Sequence, residues 1–242
     1  MGMIARSFSR VLAVTVVVAL PSFAAGKPTK NACTDAVHLT SDALLGLAVV
    51  QGKTIARDEG QCGDDFFPEG QKWTAIDRWG KAVGTVAAAT SAKKGMYFRV
   101  LSGSAGARVY VRGRKAPFSS AEWIAPAGER ERLIEAIGAK IPREVVFFKA
   151  GEKRFGVVTE RSTFSVAELD DKGRWKRRYH TKLFAGHPVY AVRSIVDLND
   201  DGMPEIVEHF SEYADGRGYE IVLGRKPNGE WTELADNQDS GP

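Results

Sequence analysis

Apolar and polar residues alternate with a period of two over many short runs of this chain, and nearly every run is closed by a cluster of Gly, Ser, Asn, Asp or Lys. The runs at 72–77, 82–86, 95–101 and 107–112 read as strands on that pattern. One segment breaks it. Residues 126–138 carry an early Glu129, apolar side chains at Leu133, Ile134 and Ile137, and a closing Gly138, which together predict a helix. The apolar stretch 40–52 has Ser41 as an N-cap and Gly52 as a stop, yet its length fits a buried strand equally well, so periodicity leaves it open. Past Pro142 the chain reads as antiparallel strands at 144–148, 154–158, 163–169 and 174–179.

A repeat emerges in this second half. Phe164 to Trp175 and Tyr219 to Trp231 are each a strand, a glycine turn, and a tryptophan that opens the next strand. Asn228-Gly229 is a strong hairpin signal and Lys172-Gly173 a weaker one. The fold class is therefore mainly β, an antiparallel meander of blade-like modules with one or two short helices, or α+β if the N-terminal helices prove larger. Two copies do not establish a closed propeller.

Composition changes the picture at the N-terminus. Arg6 and Arg10 precede an apolar run, 11–20, that is too short to span a bilayer, and Pro21 followed by Ser22-Phe-Ala24 supplies a small-residue cleavage site. The organisation predicted is a signal peptide at 1–24, a disulfide-containing α+β region at 25–142 and a β-module at 143–242, in a periplasmic or secreted protein with no stable membrane insertion. Net charge is +4 with the leader. Removing its two arginines leaves a balance too mild to imply nucleic acid as a partner. Export also predicts that Cys33 and Cys62 are bonded to each other, a closure worth roughly 3–4 kcal/mol on the chain-entropy model.

The strongest chemical signal is "DLNDDGMPEIVE", residues 197–208. It satisfies the spelling of an EF-hand loop, in which alternate oxygen-bearing side chains converge on Ca²⁺ and a glycine permits the turn. An EF-hand needs a helix on either side, and the flanks refuse it. Residues 189–196 are β-branched and aromatic, Ile206, Val207 and Phe210 continue in that style, and Pro204 stands where a helix would begin. The segment reads instead as strand, calcium turn, strand, with Glu205 rather than Glu208 closing the ligand set. At these residues the chain resembles the FG-GAP and VCBS type of repeat, the calcium-loop blade of integrin-alpha-like propellers, over roughly 189–234. The resemblance implies Asp197, Asn199, Asp201 and Glu205 as side-chain ligands and Met203 through its carbonyl. Asp200 stands where that family often has glycine, and the equivalent segment at 149–153 has too few carboxylates to bind calcium. The resemblance names no enzyme activity.

Catalytic signatures fail on context. The string 46–54 has one residue too many for a phosphate-binding loop, and Ser102-Gly-Ser-Ala-Gly106 lacks the first glycine of a nucleophile elbow. His38, His180, His187 and His209 show no zinc-ligand pair. A basic run places Arg174, Lys176, Arg178 and His180 on one face of a strand, a possible strip for a polyanion or glycan, or simply a charged edge that deters aggregation. The reading that results is an exported calcium-binding β protein with a binding or envelope-associated role. An exported hydrolase with a calcium-stabilised accessory module, its site near the acidic loop 58–65, and a polyanion or glycan binder are the alternatives.

Overall fold

Half-buried alternation becomes strand wherever a neighbour can cover the apolar face, and here three antiparallel sheets do so in turn. The computed structural model describes residues 37–41, 46–57, 62, 66–91, 95–103, 109–113, 118, 121–182, 189–211 and 218–237. The leader 1–24, Cys33, His187, residues 104–106, most of the 58–65 loop and the tail from 238 lie outside them. The N-terminal sheet contains β1 (Val37–Ser41), β2 (Gly46–Gln51), β3 (Thr54–Arg57), β4 (Lys72–Ile76), β5 (Ala82–Ser91), β6 (Gly95–Gly103) and β7 (Val109–Arg112), in the order β3-β2-β1-β7-β4-β5-β6. The described residues of the open segment at 40–52 thus fall in β1, in β2 and in the turn at Gly52 that follows. A helix, α1 (Glu129–Ile137), leads into a first meander of β8 (Glu144–Ala150), β9 (Lys153–Thr159), β10 (Thr163–Leu169) and β11 (Trp175–Lys182). A second follows as β12 (Val189–Val196), β13 (Glu205–Ser211), β14 (Gly218–Arg225) and β15 (Trp231–Asp236). The chain is mainly β. Among the described residues no helix is long and apolar enough to cross a membrane.

The sheets stack with the second meander in the middle. One of its faces sends Ile195, Ile206, Phe210, Leu223 and Trp231 against Phe148, Phe155, Val157 and Phe164 of the first meander. Its other face sets Val196, Val207 and Val222 against Leu39, Ala48, Val50 and Val111 of the N-terminal sheet. Both outer ends are sealed. Cys62, Phe66 and Trp73 form a small aromatic core on the far side of the N-terminal sheet, and Leu133 of α1 packs on Val158, Ala167 and Trp175 of the first meander. Although α1 precedes residue 142, its packing therefore joins it to the C-terminal sheets.

The two meanders are copies of one pattern. Trp175 and Trp231 each open the fourth strand. The bulge in the pairing of third and fourth strands falls between Val166 and Ala167 in one copy and between Val222 and Leu223 in the other, so bulge and tryptophan both recur 56 residues on (166 to 222, 175 to 231). Following the pairing across to the second strands sets Val158 opposite Ser165 and Glu208 opposite Ile221, again 56 apart on β10 and β14. Glu208 thus occupies the place that Val158 holds in the first copy. In this scheme α1 covers the face of the first meander that the first meander covers on the second.

A polar joint fastens the stack. The turn at 77–81 of the N-terminal sheet reaches β12 where the β12–β13 register skips Arg193. There the Ile195 N–H donates to the Arg78 carbonyl at 2.7 Å, and Glu144 accepts from the Val192 N–H at 2.9 Å and from the Arg78 guanidinium. These bonds occupy N–H groups that the edge of a sheet would otherwise leave open. Glu144→Ala should lower the free energy of unfolding by about 1–3 kcal/mol, because it strands a backbone donor and a guanidinium together. Urea titration checks this, and an unchanged midpoint would mean that water replaces the carboxylate.

Candidate metal loop

The connection from β12 to β13, residues 197–204, is where a first strand passes to a second in the repeat. In the first meander that connection is only Gly151 and Glu152. The second copy has expanded it with oxygen-bearing side chains. Asp197 accepts from the N–H groups of Asp201 (3.1 Å) and Gly202 (2.9 Å), Asn199 Oδ1 from Asp201 N–H (3.1 Å), and Asp201 Oδ1 from Met203 N–H (2.7 Å). Asp200 has φ 56° and Gly202 φ 84°. The left-handed turn at Asp200 explains why glycine would sit there without strain, and aspartate is among the few other residues that tolerate it.

Glu205 begins β13 and turns back into this loop, where its Oε2 accepts the Leu198 N–H at 2.8 Å. It is 2% exposed. Burial first, and then the negative charges of Asp201 and Asp197, push its carboxyl up to about 8. Among the described residues no side-chain cation pairs with it. Gly224 of β14 makes its room, since a Cβ there would overlap Leu234 and come within 3.5 Å of Glu205 Cγ. The counterpart position in the first meander carries Glu168.

Strand alternation separates Glu208 from all of this. It lies with Ile206 and Phe210 on the face toward the first meander, fully buried, and neither carboxylate oxygen has a hydrogen-bond partner. Burial raises its carboxyl well above the ordinary range, and the charge of Glu233 adds to the effect. The spacing that satisfies an EF-hand therefore ends on a residue pointing away from the loop.

Asn199, Asp201, Met203 and Glu205 line a cavity of about 510 Å³ where the loop meets the β2–β3 and β14–β15 turns. Asn199 Nδ2 donates to the Lys53 carbonyl across this junction at 3.1 Å. The donors fit a hard divalent cation in kind, being carboxylates, an amide oxygen and a carbonyl, and each carboxylate oxygen bound to one N–H retains a lone pair. In the loop as described they are drawn to its own N–H groups. Among the described residues no three Asp, Glu, His or Cys side chains converge at metal-ligand spacing.

The other predicted sites fall differently. Arg174 and Lys176 both pair with Asp170, at 3.2 and 3.1 Å, and Arg178 pairs with Glu168 at 2.8 Å. The register skips Arg178, so Tyr179 packs on the inter-meander core while His180 faces Ser165, with Nδ1 2.9 Å from its hydroxyl. The expected single face of Arg174, Lys176, Arg178 and His180 is therefore broken by a bulge that alternation could not foresee. The string 46–54 is strand, turn and strand, with no helix N-terminus to hold a phosphate. Strand pairing also builds a cluster that spacing did not reveal: His209 Nδ1 lies 3.0 Å from Glu220, whose other oxygen accepts from Asn237 at 3.0 Å. His209 and Glu220 sit on adjacent strands and Asn237 directly follows β15, and nothing local in the sequence links them.

No protein-family model, no curated protein and no solved structure matches this chain.

Proposed function

We propose that this chain is an exported, calcium-binding β protein in which Ca²⁺ clasps the second meander, and that it works by binding, in the periplasm or outside the cell, rather than by catalysis. Asp197, Asn199, Asp201 and Glu205 would hold the ion with the Met203 carbonyl, in the manner of the FG-GAP and VCBS repeats that the loop resembles. The observation that carries the reading is Glu205, a buried carboxylate set among two further carboxylates with no cation paired to it among the described residues. A divalent ion supplies the missing positive charge. The same ion ties the start of β13 to the end of β12 and, through Asn199 and Lys53, to the N-terminal sheet. The ion pairs of Arg174, Lys176 and Arg178 leave the basic strip a weaker basis for polyanion binding.

Because calcium would bind the folded chain alone, it stabilises by RT ln(1 + [Ca²⁺]/Kd), about 2.7 kcal/mol when calcium is a hundredfold above Kd. Millimolar calcium should raise the melting temperature over that in EDTA, with magnesium less effective, and Asp197→Ala with Asp201→Ala should abolish the difference. Isothermal titration of the purified chain reads the same site directly. Equal melting in calcium and EDTA would end the proposal.

A further inference from the structure

We propose that the cavity beside the loop is a calcium-dependent binding site for a small anionic sugar, its charge carried by a carboxylate or a phosphate. The inference rests on the calcium reading above and goes beyond it, because a purely structural clasp needs no accessible cavity. Here Asn199, Asp201, Met203 and Glu205 all form part of the cavity wall, so an ion held by them would border the cavity.

Charge selects the class of molecule. Lys53, Arg225 and Lys226 line the same cavity. Arg225 is fixed, with Nε donating to the Gly229 carbonyl at 3.0 Å and its guanidinium 3.6 Å from Glu168. Lys53 and Lys226 are exposed and make no ion pair among the described residues. Arg225 is already matched by Glu168, and Lys53 and Lys226 meet the negative charges of Asp201 and the adjoining Asp197, which leaves no net charge to attract an anion. A divalent cation in the loop makes that balance positive. Anion binding should therefore be conditional on calcium, since without it the nearest carboxylates repel the ligand.

Shape narrows the class further. The volume of about 510 Å³ suits a monosaccharide or disaccharide rather than a polymer. Ile55, Pro227 and Leu234 add apolar surface against which the C–H face of a pyranose ring can lie. The walls come from two different sheets and from the turn at 226–230, so the site exists only in the assembled stack.

The test is isothermal titration of the full chain with glucuronate, glucose 6-phosphate and neutral glucose, each in calcium and in EDTA, with melting temperature recorded on the same samples. The expected result is heat from one or both acidic sugars in calcium only, and none from glucose. Which of the two binds distinguishes carboxylate from phosphate. Lys53→Ala with Lys226→Ala should weaken that binding about tenfold, as the loss of two charge contacts would, while the calcium-induced rise in melting temperature is kept or enlarged. A misfolded variant would lose both. Binding that persists in EDTA, glucose binding as well as the acids do, or a calcium shift with no acidic sugar bound would each overturn the inference and leave the calcium site standing. No calcium shift at all would overturn both.

Discussion

Glu208→Leu is expected to stabilise this protein, by about 3 kcal/mol or more at pH 7. Two effects add. The carboxyl is fully buried with both oxygens unpartnered, and relieving such a group is worth about 1–3 kcal/mol. The second effect is ionisation. The unfolded chain releases the Glu208 proton near the ordinary value of 4.5 while the folded chain retains it. Above that pH the unfolded state binds fewer protons, so this residue makes stability fall as pH rises, by about 1.4 kcal/mol per unit, until Glu208 itself ionises in the fold. The groups facing it offer no relief. Tyr179 donates its hydroxyl to Glu233, burial raises the phenols of Tyr179 and Tyr190 far above neutrality, and Glu233 repels. Leucine is larger than glutamate by about one methylene, a change a core can absorb at modest cost, and Val158 shows that the position accepts an aliphatic side chain in the other copy. Denaturant titrations between pH 4 and pH 7 should show the advantage of leucine growing with pH. Glu208→Gln should gain only the pH-dependent part. An advantage independent of pH would mean that Glu208 is ionised in the fold and satisfied by groups unseen here.

The second large effect is at the helix-covered end of the stack, where Leu133→Ala should cost about 3–4 kcal/mol. Leu133 is completely buried over β9 and β10, and Gly156 leaves the notch it fills, since a Cβ at that glycine would overlap its side chain. Truncating it empties the notch beside Trp175 and loosens α1 from the sheet. Gly156→Ala should be destabilising for the converse reason, and the double variant should cost less than the sum of the two. A coupling of about 1 kcal/mol or more in that cycle would confirm that one side chain and one missing side chain form a single contact. Strict additivity would place the helix on the sheet by other contacts.

The two meanders were legible because their strands alternate cleanly and their turns carry glycine. The repeat of Trp175 and Trp231 followed from the same regularity. Prediction fell short where a choice depends on distant partners. Thr40, Ser41 and residues 46–51 are in strands because β1 lies between β2 and β7, a neighbour that local pattern cannot supply. β5 runs on to Ser91 although Ala87, Ala88 and Ala89 carry little strand propensity, because β6 pairs with them. The 197–204 loop was readable as a string of oxygen donors, and that Glu205 rather than Glu208 turns into it followed from recognising strands on both sides. The interior position of Glu208 was not readable, since no rule of patterning places an uncompensated carboxylate between two sheets. The bulge at Arg178 and the His209, Glu220 and Asn237 cluster likewise arise from register, which composition does not encode.

The strand order of the N-terminal sheet bears on how the chain reaches its fold. Each meander closes by pairing neighbours in sequence, which is entropically cheap and fast. β1 instead pairs with β7 across the whole stretch from Ser41 to Val109, and its apolar residues then pack on β12 to β15, later still in the chain. The first of the described strands to be made is thus the last to find both its edge and its cover. The late step in refolding should lie in the N-terminal sheet, templated by a second meander already in place.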